Sequence, residues 1–337
     1  MSIRFSLRAA ALAACLGLAL ASCQSDGMSK ADKEKQVESH TELAQLYYQM
    51  GELDRAEGQA VKGLELDPAN IKLKLMRAKV MEKRGRPEDF LRAEKLLREI
   101  ESDGDFQVRL FLGIALERKG MACDEAATAI EQGHRLTEAA DPAQRVGELR
   151  RLAVQAWRDA IPCFERVLAE HNEDTDALNG LMRVHGLLDE KEQSLAYAER
   201  LLVTTQTDLD FWQKQLTRPQ MSADEETRFR AFVKQYTQLQ VATHVAASIV
   251  LHELGRFPAA EEHVEKALDL DPDRAELYGR RAELRKQLGR YQAAIDDIDA
   301  FLRLSTNAFD HPDVLRAWNL RRECEEALRQ TASKRTS

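Results

Sequence analysis

G-E-L-D-R-A-E-G-Q-A-V-K-G-L-E-L-D-P (Gly51–Pro68) and G-R-F-P-A-A-E-E-H-V-E-K-A-L-D-L-D-P (Gly255–Pro272) carry glycine, alanine, leucine, aspartate and proline at matching offsets. A third copy, G-R-Y-Q-A-A-I-D-D-I-D-A-F-L (Gly289–Leu302), follows 34 residues after the second, measured from Gly255 to Gly289 or from Ala260 to Ala294. A fixed period of this length marks an array of one small structural unit. Each recurring residue has a mechanical reason. The glycines fall where a first helix must stop in the left-handed conformation. Pro68 and Pro272 block continuation of the second helix. Pro258 sits in the first turn of a helix, where its missing N–H costs nothing. Ala44 and Ala282 on first helices, and Ala56, Ala260 and Ala294 on second helices, are small enough for close approach.

The pattern resembles the tetratricopeptide repeat family. The resemblance implies an all-α fold, a right-handed α-solenoid of tetratricopeptide helix pairs with a C-terminal capping helix. The first unit spans 37–70. A second, from Ile71, carries Ala78, Gly85, Ala93 and Leu97, and a third, from Phe106, carries Gly113, Gly120, Ala126 and Ile130. The fourth, about 141–174, is degenerate. Ala160, Phe164 and Val167 suit its second helix, whose first turns tolerate Pro162. The fifth, 175–208, keeps Leu178, Leu181, Ser194, Ala198 and Leu201 in phase but lacks a turn glycine.

These units form an N-terminal array at 37–208. Residues 209–240, broken by Pro219 and restarting at Ser222 with Glu225 three residues on, read as an irregular helical joint. A C-terminal pair occupies 241–308. Residues 309–330 read as the capping helix, covering the last repeat with Val314, Leu315, Trp318 and Leu328, and 331–337 as a tail.

The chain has 337 residues, 44% of them hydrophobic and 31% charged, with 16 Gly and 8 Pro, a balance that suits helices. A net charge of −8 gives no electrostatic reason to expect nucleic acid. The first 22 residues are different in kind. Arg4 and Arg8 precede the apolar stretch Ala9–Leu20, and Ala21-Ser22 ends it, the layout of a secretory signal. Twelve residues are too few to span a bilayer, which needs roughly 20. Leu20-Ala21-Ser22-Cys23 resembles the lipobox of bacterial lipoproteins, which implies that Cys23 is lipidated and becomes the first mature residue. An ordinary signal peptide, or a start at Met28, is the alternative. Residues 23–36 then form a polar linker. Loss of 1–22 removes two arginines and no acid, which disfavours contact with anionic lipid.

No catalytic constellation emerges. His252-Glu253 lacks a second histidine at i+4, since position 256 is Arg. Gly-x-Ser-x-Gly and the phosphate-loop motif are absent, and the eight histidines are dispersed along surface or groove positions. No metal or cofactor is expected, and no enzymatic activity. Of the five cysteines, Cys123 and Cys163 either pair in an oxidising compartment or remain thiols.

The resemblance also places five positions of each first helix on a concave face. In the first three units these are Glu38, Thr41, Gln45, Tyr48 and Gln49; Lys72, Leu75, Lys79, Glu82 and Lys83; and Gln107, Leu110, Ile114, Glu117 and Arg118. Tyr48, Lys72, Lys79, Lys83, Leu110, Ile114 and Arg118 are the candidate peptide-binding groove, a local basic run with apolar neighbours suited to acidic groups or a free carboxylate. Thr41 and Gln45 stand where the family's chaperone-tail clamp has other residues, so that clamp is not expected. The corresponding C-terminal face, with Val245, Ile249, His252, Glu276, Glu283 and Lys286, is apolar to acidic.

The plan of lipobox followed by repeats is similar to the pilotin lipoproteins of type IV pili. It implies a membrane-anchored, periplasm-facing scaffold that binds protein or peptide partners during envelope assembly of the pilus or secretion type. Gln24 after the cysteine favours the outer membrane. The alternative is a regulatory accessory subunit of a cell-wall or polysaccharide-synthesis enzyme complex.

Overall fold

The computed structural model describes residues 29–101, 105–134 and 141–336, with side chains to 331. The leader, Cys23 and the start of the linker lie outside the described residues. Thirteen helices and no strand occur among those described. No helix among them is long and apolar enough to cross a membrane. The chain forms two compact units, 1–172 and 173–337.

Unit 1 contains α1 (Lys30–Gln49), α2 (Leu53–Leu66), α3 (Ile71–Arg84), α4 (Pro87–Ile100), α5 (Phe106–Glu131) and α6 (Pro142–Glu170). Consecutive helices pack as antiparallel neighbours, and α1, α3 and α5 touch in turn to form one layer. α1 starts at Lys30, capped by the Ser29 hydroxyl, so Lys30–Gln36 of the expected linker are helical and mostly exposed. Gly51 (φ +77°) and Gly85 (φ +72°) take the left-handed conformation expected of turn glycines. After Gly51 the chain closes with a Glu52 N–H to Tyr47 carbonyl bond of 2.9 Å, the helix-ending motif that favours glycine. Ala44, Ala56, Ala60, Leu73 and Val80 form a core between the first three helices.

The third and fourth units depart from the expected pattern. Instead of two short hairpins, the chain makes one hairpin of long helices, the 26-residue α5 and the 29-residue α6. Gly120, in phase with the turn glycines, lies inside α5. A methyl there would fall 2.3 Å from Trp157 Nε1, and one on Gly113 would fall 2.7 Å from the Phe164 ring. These glycines therefore admit large rings from α6 rather than turn the chain. Pro162 lies well inside α6 and not in its first turns. Ala160, Phe164 and Val167 are fully buried, as expected for a packing face. Cys123 and Cys163 are free thiols, and burial pushes Cys163 up to about 11.

Unit 2 contains α7 (Thr175–Leu187), α8 (Lys191–Leu216), α9 (Ala223–Glu253), α10 (Phe257–Leu270), α11 (Ala275–Gln287), α12 (Tyr291–Leu304) and α13 (Pro312–Thr336). Gly255 and Gly289 turn at φ +71° and +72°. Asp189 does the same at φ +61° between α7 and α8, where the sequence offers no glycine. All three turns close with the same back-bond, to His185, Leu251 and Arg285 carbonyls at 2.8 Å.

Residues 209–240 fall on the end of α8 and the first half of α9, which pack on each other. The restart at Ser222 is a capping box with Glu225. Trp212 stacks on Phe232 at 4.4 Å and meets Phe211 and Phe229 edge-on or tilted. The capping helix buries Val314, Ala317 and Cys324 against α12, with Leu328 partly covered. Leu315 and Trp318, expected on that face, are exposed because the buried stripe runs through 314, 317 and 324.

Two polar clusters hold unit 2 together and were not read from the sequence. Arg285 donates to Glu261 and Asp297 at 2.9 Å each, and Arg281 to Asp297 at 2.7 Å, beneath nearly complete burial of both carboxylates. His244 and His263 meet Nδ1 to Nδ1 at 3.0 Å across α9 and α10. His40 and His185 are also buried, each hydrogen-bonded, to Gln59 and Glu190. The histidines expected at surface or groove positions thus include three interior ones.

Candidate binding clefts of unit 1

The layer of α1, α3 and α5 is set by sequence. Asn70 caps α3 by accepting from Leu73 N–H at 3.1 Å, and Asp105 caps α5 by accepting from Gln107 N–H at 2.8 Å. Leu73, Met76 and Val80 turn inward, which leaves Lys72 and Lys79, one position before Leu73 and Val80, on the flank of that buried face. There they line a cleft of about 660 Å³ with Thr41, Gln45, Gln49 and Phe106. Lys72 also reaches a neighbouring cleft of about 580 Å³ with Lys30, Lys33 and Val37. Lys83 and Arg118 line a third, of about 430 Å³, with Phe90 and Met121.

The candidate residues are thereby divided. Lys72 and Lys79 share one cleft, and Lys83 and Arg118 share another. Lys79 Nζ donates to Gln107 Oε1 at 3.3 Å and lies 4.7 Å from the Phe111 ring centre. Burial lowers its pKa, while Asp105 opposes the shift. Lys83 Nζ sits 4.5 Å from the Tyr48 ring centre and donates to the Tyr48 carbonyl at 3.4 Å. Burial and then Glu82 raise the Tyr48 phenol. Arg118 pairs with Glu82 at 3.9 Å.

Leu110, expected as a groove contact, is buried and lines none of the three clefts, and Glu117 is fully enclosed, whereas Leu75, though mostly buried, lines the cleft with Lys72 and Lys79. Ile114 lines none of the three clefts. The helical stripe was in phase, but α5 packs along α6 so closely that part of it turns inward. Gln107, expected on the concave face, lines the first cleft; sequence reasoning missed Asp105 and Phe106, which close its end. Asp105 immediately before an apolar helix was the available signal, since it fixes where the first turn begins.

The clefts can hold an extended or helical segment by apolar contact, with lysine ammonium groups directed at acidic groups. Among the described residues no group of three or more His, Cys, Asp or Glu side chains is placed to hold a metal ion.

Residues 37–70 match the family model described as Tetratricopeptide repeat, and residues 249–322 match another of the same description. These two stretches are tetratricopeptide repeats. The first is α1–α2 with the turn at Gly51, and the second runs from the end of α9 into α13. No curated protein matches the sequence. Among solved structures, "MamA MSR-1 C2" is 13% identical, covering 68% of this chain and 95% of its own, with a TM-score of 0.41. A thermophilic tetratricopeptide protein of Thermus thermophilus, TTC0263, is 14% identical, covering 74% and 98%, with a TM-score of 0.43. The TPR2AB domain of yeast Sti1, solved in a complex with pHSP90, is 16% identical, covering 87% and 99%, at 0.29. TM-scores of this size leave the arrangement of the repeats to be read from this chain's own packing.

Proposed function

We propose that this protein is a tetratricopeptide scaffold that holds a protein partner in the clefts of unit 1 and is tethered to an envelope membrane through Cys23. The carrying observation is the cleft of about 660 Å³ in which Lys72 and Lys79 stand beside Leu75, Met76 and Phe106. A groove that pairs apolar walls with the exposed Lys72 and the half-buried Lys79 selects an amphipathic acidic segment over a uniformly charged one. Glu82 and Asp105 moderate the positive charge, so the apolar contacts supply much of the affinity.

The tether rests on the Leu20-Ala21-Ser22-Cys23 signature and the polar residues that follow. A diacylated cysteine supplies the second hydrophobic chain that stable anchoring requires. The periplasmic face of the outer membrane is proposed from that signature and Gln24, and a role in pilus or secretion assembly from the likeness of the overall plan, lipobox then repeats, to the pilotin lipoproteins.

The test combines two variants. Cys23→Ser moves the protein from the membrane to the soluble fraction, and its retention in membranes refutes the tether. Lys72→Glu with Lys79→Glu weakens capture of the partner at least tenfold at unchanged helicity, and unchanged capture refutes the cleft.

A further inference from the structure

Unit 2 holds a cation whose charge is unmet. On α11, Arg281 and Arg285 are saturated by Asp297 and Glu261. Arg280, adjacent to Arg281 in sequence and roughly 100° around the helix from it, belongs to another face. It is half-buried, yet among the described residues it makes no hydrogen bond or ion pair. Burial lowers its pKa, and the exposed Glu283 acts on it without forming an ion pair.

The surroundings explain the burial. Arg280 lines a pocket of about 240 Å³ walled by Leu277, Ile298, Phe301 and Leu320 from α11, α12 and α13. Arg274 and Arg316 stand at its rim, loosely paired with Glu276 at 3.7 Å and Asp313 at 3.6 Å. Gly279 also lines it, and a methyl there would make only ordinary contact with Phe301, at 3.5 Å. The missing side chain is therefore not demanded by packing and leaves space in the pocket.

We propose that this pocket binds a monocarboxylate bearing one compact apolar group, with the carboxylate on Arg280 and the apolar group against Leu277, Ile298, Phe301 and Leu320. A guanidinium forks onto a carboxylate through two parallel N–H bonds, and these gain strength away from water. The volume is below the roughly 300–1,000 Å³ of pockets for drug-sized ligands, which limits the apolar group to a small branched chain or a single ring. Two sources share this chemistry: a free short-chain acid and the last residue of a polypeptide. The site is independent of the unit 1 clefts, and Lys72 and Lys79 variants leave it intact.

The experiment titrates full-length protein with 4-methylpentanoate, with 4-methylpentanamide, and with N-acetyl-Gly-Gly-Leu, following the backbone amide resonance of Gly279. Saturable binding of the free acid, at least tenfold weaker for the amide, supports the proposal. Tighter binding of the peptide than of the free acid also supports it and assigns the ligand to a chain end. Arg280→Gln removes the preference for acid over amide, and Gly279→Leu, which fills the pocket without touching the charge, blocks all three probes. Equal binding of acid and amide, or no saturation by any probe in folded protein, overturns it.

Discussion

Gly120→Ala separates a glycine that turns the chain from one that admits a ring. The added methyl falls 2.3 Å from Nε1 and 2.5 Å from Cδ1 of Trp157, an indole only 5% exposed and held by α6. Helix propensity favours alanine by about 1 kcal/mol. Overpacking a filled interior costs about 1–3 kcal/mol, toward the upper end where the obstacle is flat and rigid. The net expectation is a loss of about 1–2 kcal/mol, or a Tm lower by roughly 2–4 °C per kcal/mol for a unit of this size. Gly147→Ala is the control: it lies exposed in α6 with nothing within 4 Å, and it gains about 1 kcal/mol from propensity alone. Thermal and urea unfolding of the full chain, followed by far-ultraviolet circular dichroism, reads both. The decisive comparison is a cycle with Trp157→Leu. Once the indole is gone, Gly120→Ala becomes neutral or stabilising, which corresponds to a coupling of about 2 kcal/mol. Additive effects would show that Gly120 does not face Trp157 and that the long α5–α6 hairpin is wrong.

Two further perturbations test unit 2. His244 is held down to about 4 by burial, with repulsion from His263 and Lys266 and an opposing Glu262; His263 is lowered by burial and by Lys266. The unfolded chain titrates these groups near 6.5, so it binds more protons than the folded one as pH falls below that value. Stability is therefore lost between about pH 6.5 and 4, by about 2–3 kcal/mol from His244. His244→Gln flattens that part of the profile, and an unchanged slope refutes the buried pair. Asp189→Gly relieves a left-handed non-glycine residue and raises stability by about 1 kcal/mol in urea unfolding, provided the turn is as described. Destabilisation there would mean that the Asp189 carboxylate, 3.1 Å from Lys191, matters more than the backbone.

Where the repeat was well formed, the residues announced their structure. Gly51, Gly255 and Gly289 turn with positive φ, and Ala44, Ala56, Ala260, Ala282 and Ala294 are fully buried. The periodicity misled where a residue type serves two purposes. Gly120 reads identically as a turn and as a gap for Trp157, and only the partner helix decides between them. Asp189 shows the converse, a turn kept without its usual residue because Asp tolerates the left-handed region.

Part of the candidate groove was legible for a similar reason. The exposed Lys72 and the half-buried Lys79 follow from the polar stripe of α3. The burial of Leu110 and Glu117 depends on how closely α5 approaches its neighbours, which a single-helix stripe does not encode. The Arg285 network and the His244–His263 contact are long-range pairings of the same kind, invisible to local spacing.

The central claim is that partners bind the inner clefts of unit 1. Photo-crosslinking residues placed at Gln45 and Gln49, which line the larger cleft, and at the exposed Lys62 of α2 test it in intact cells. The account predicts one crosslinked partner from Gln45 and Gln49, lost with Lys72→Glu and Lys79→Glu, and none from Lys62. Crosslinks from Lys62 alone, or crosslinks at Gln45 and Gln49 that persist after charge reversal, would contradict it.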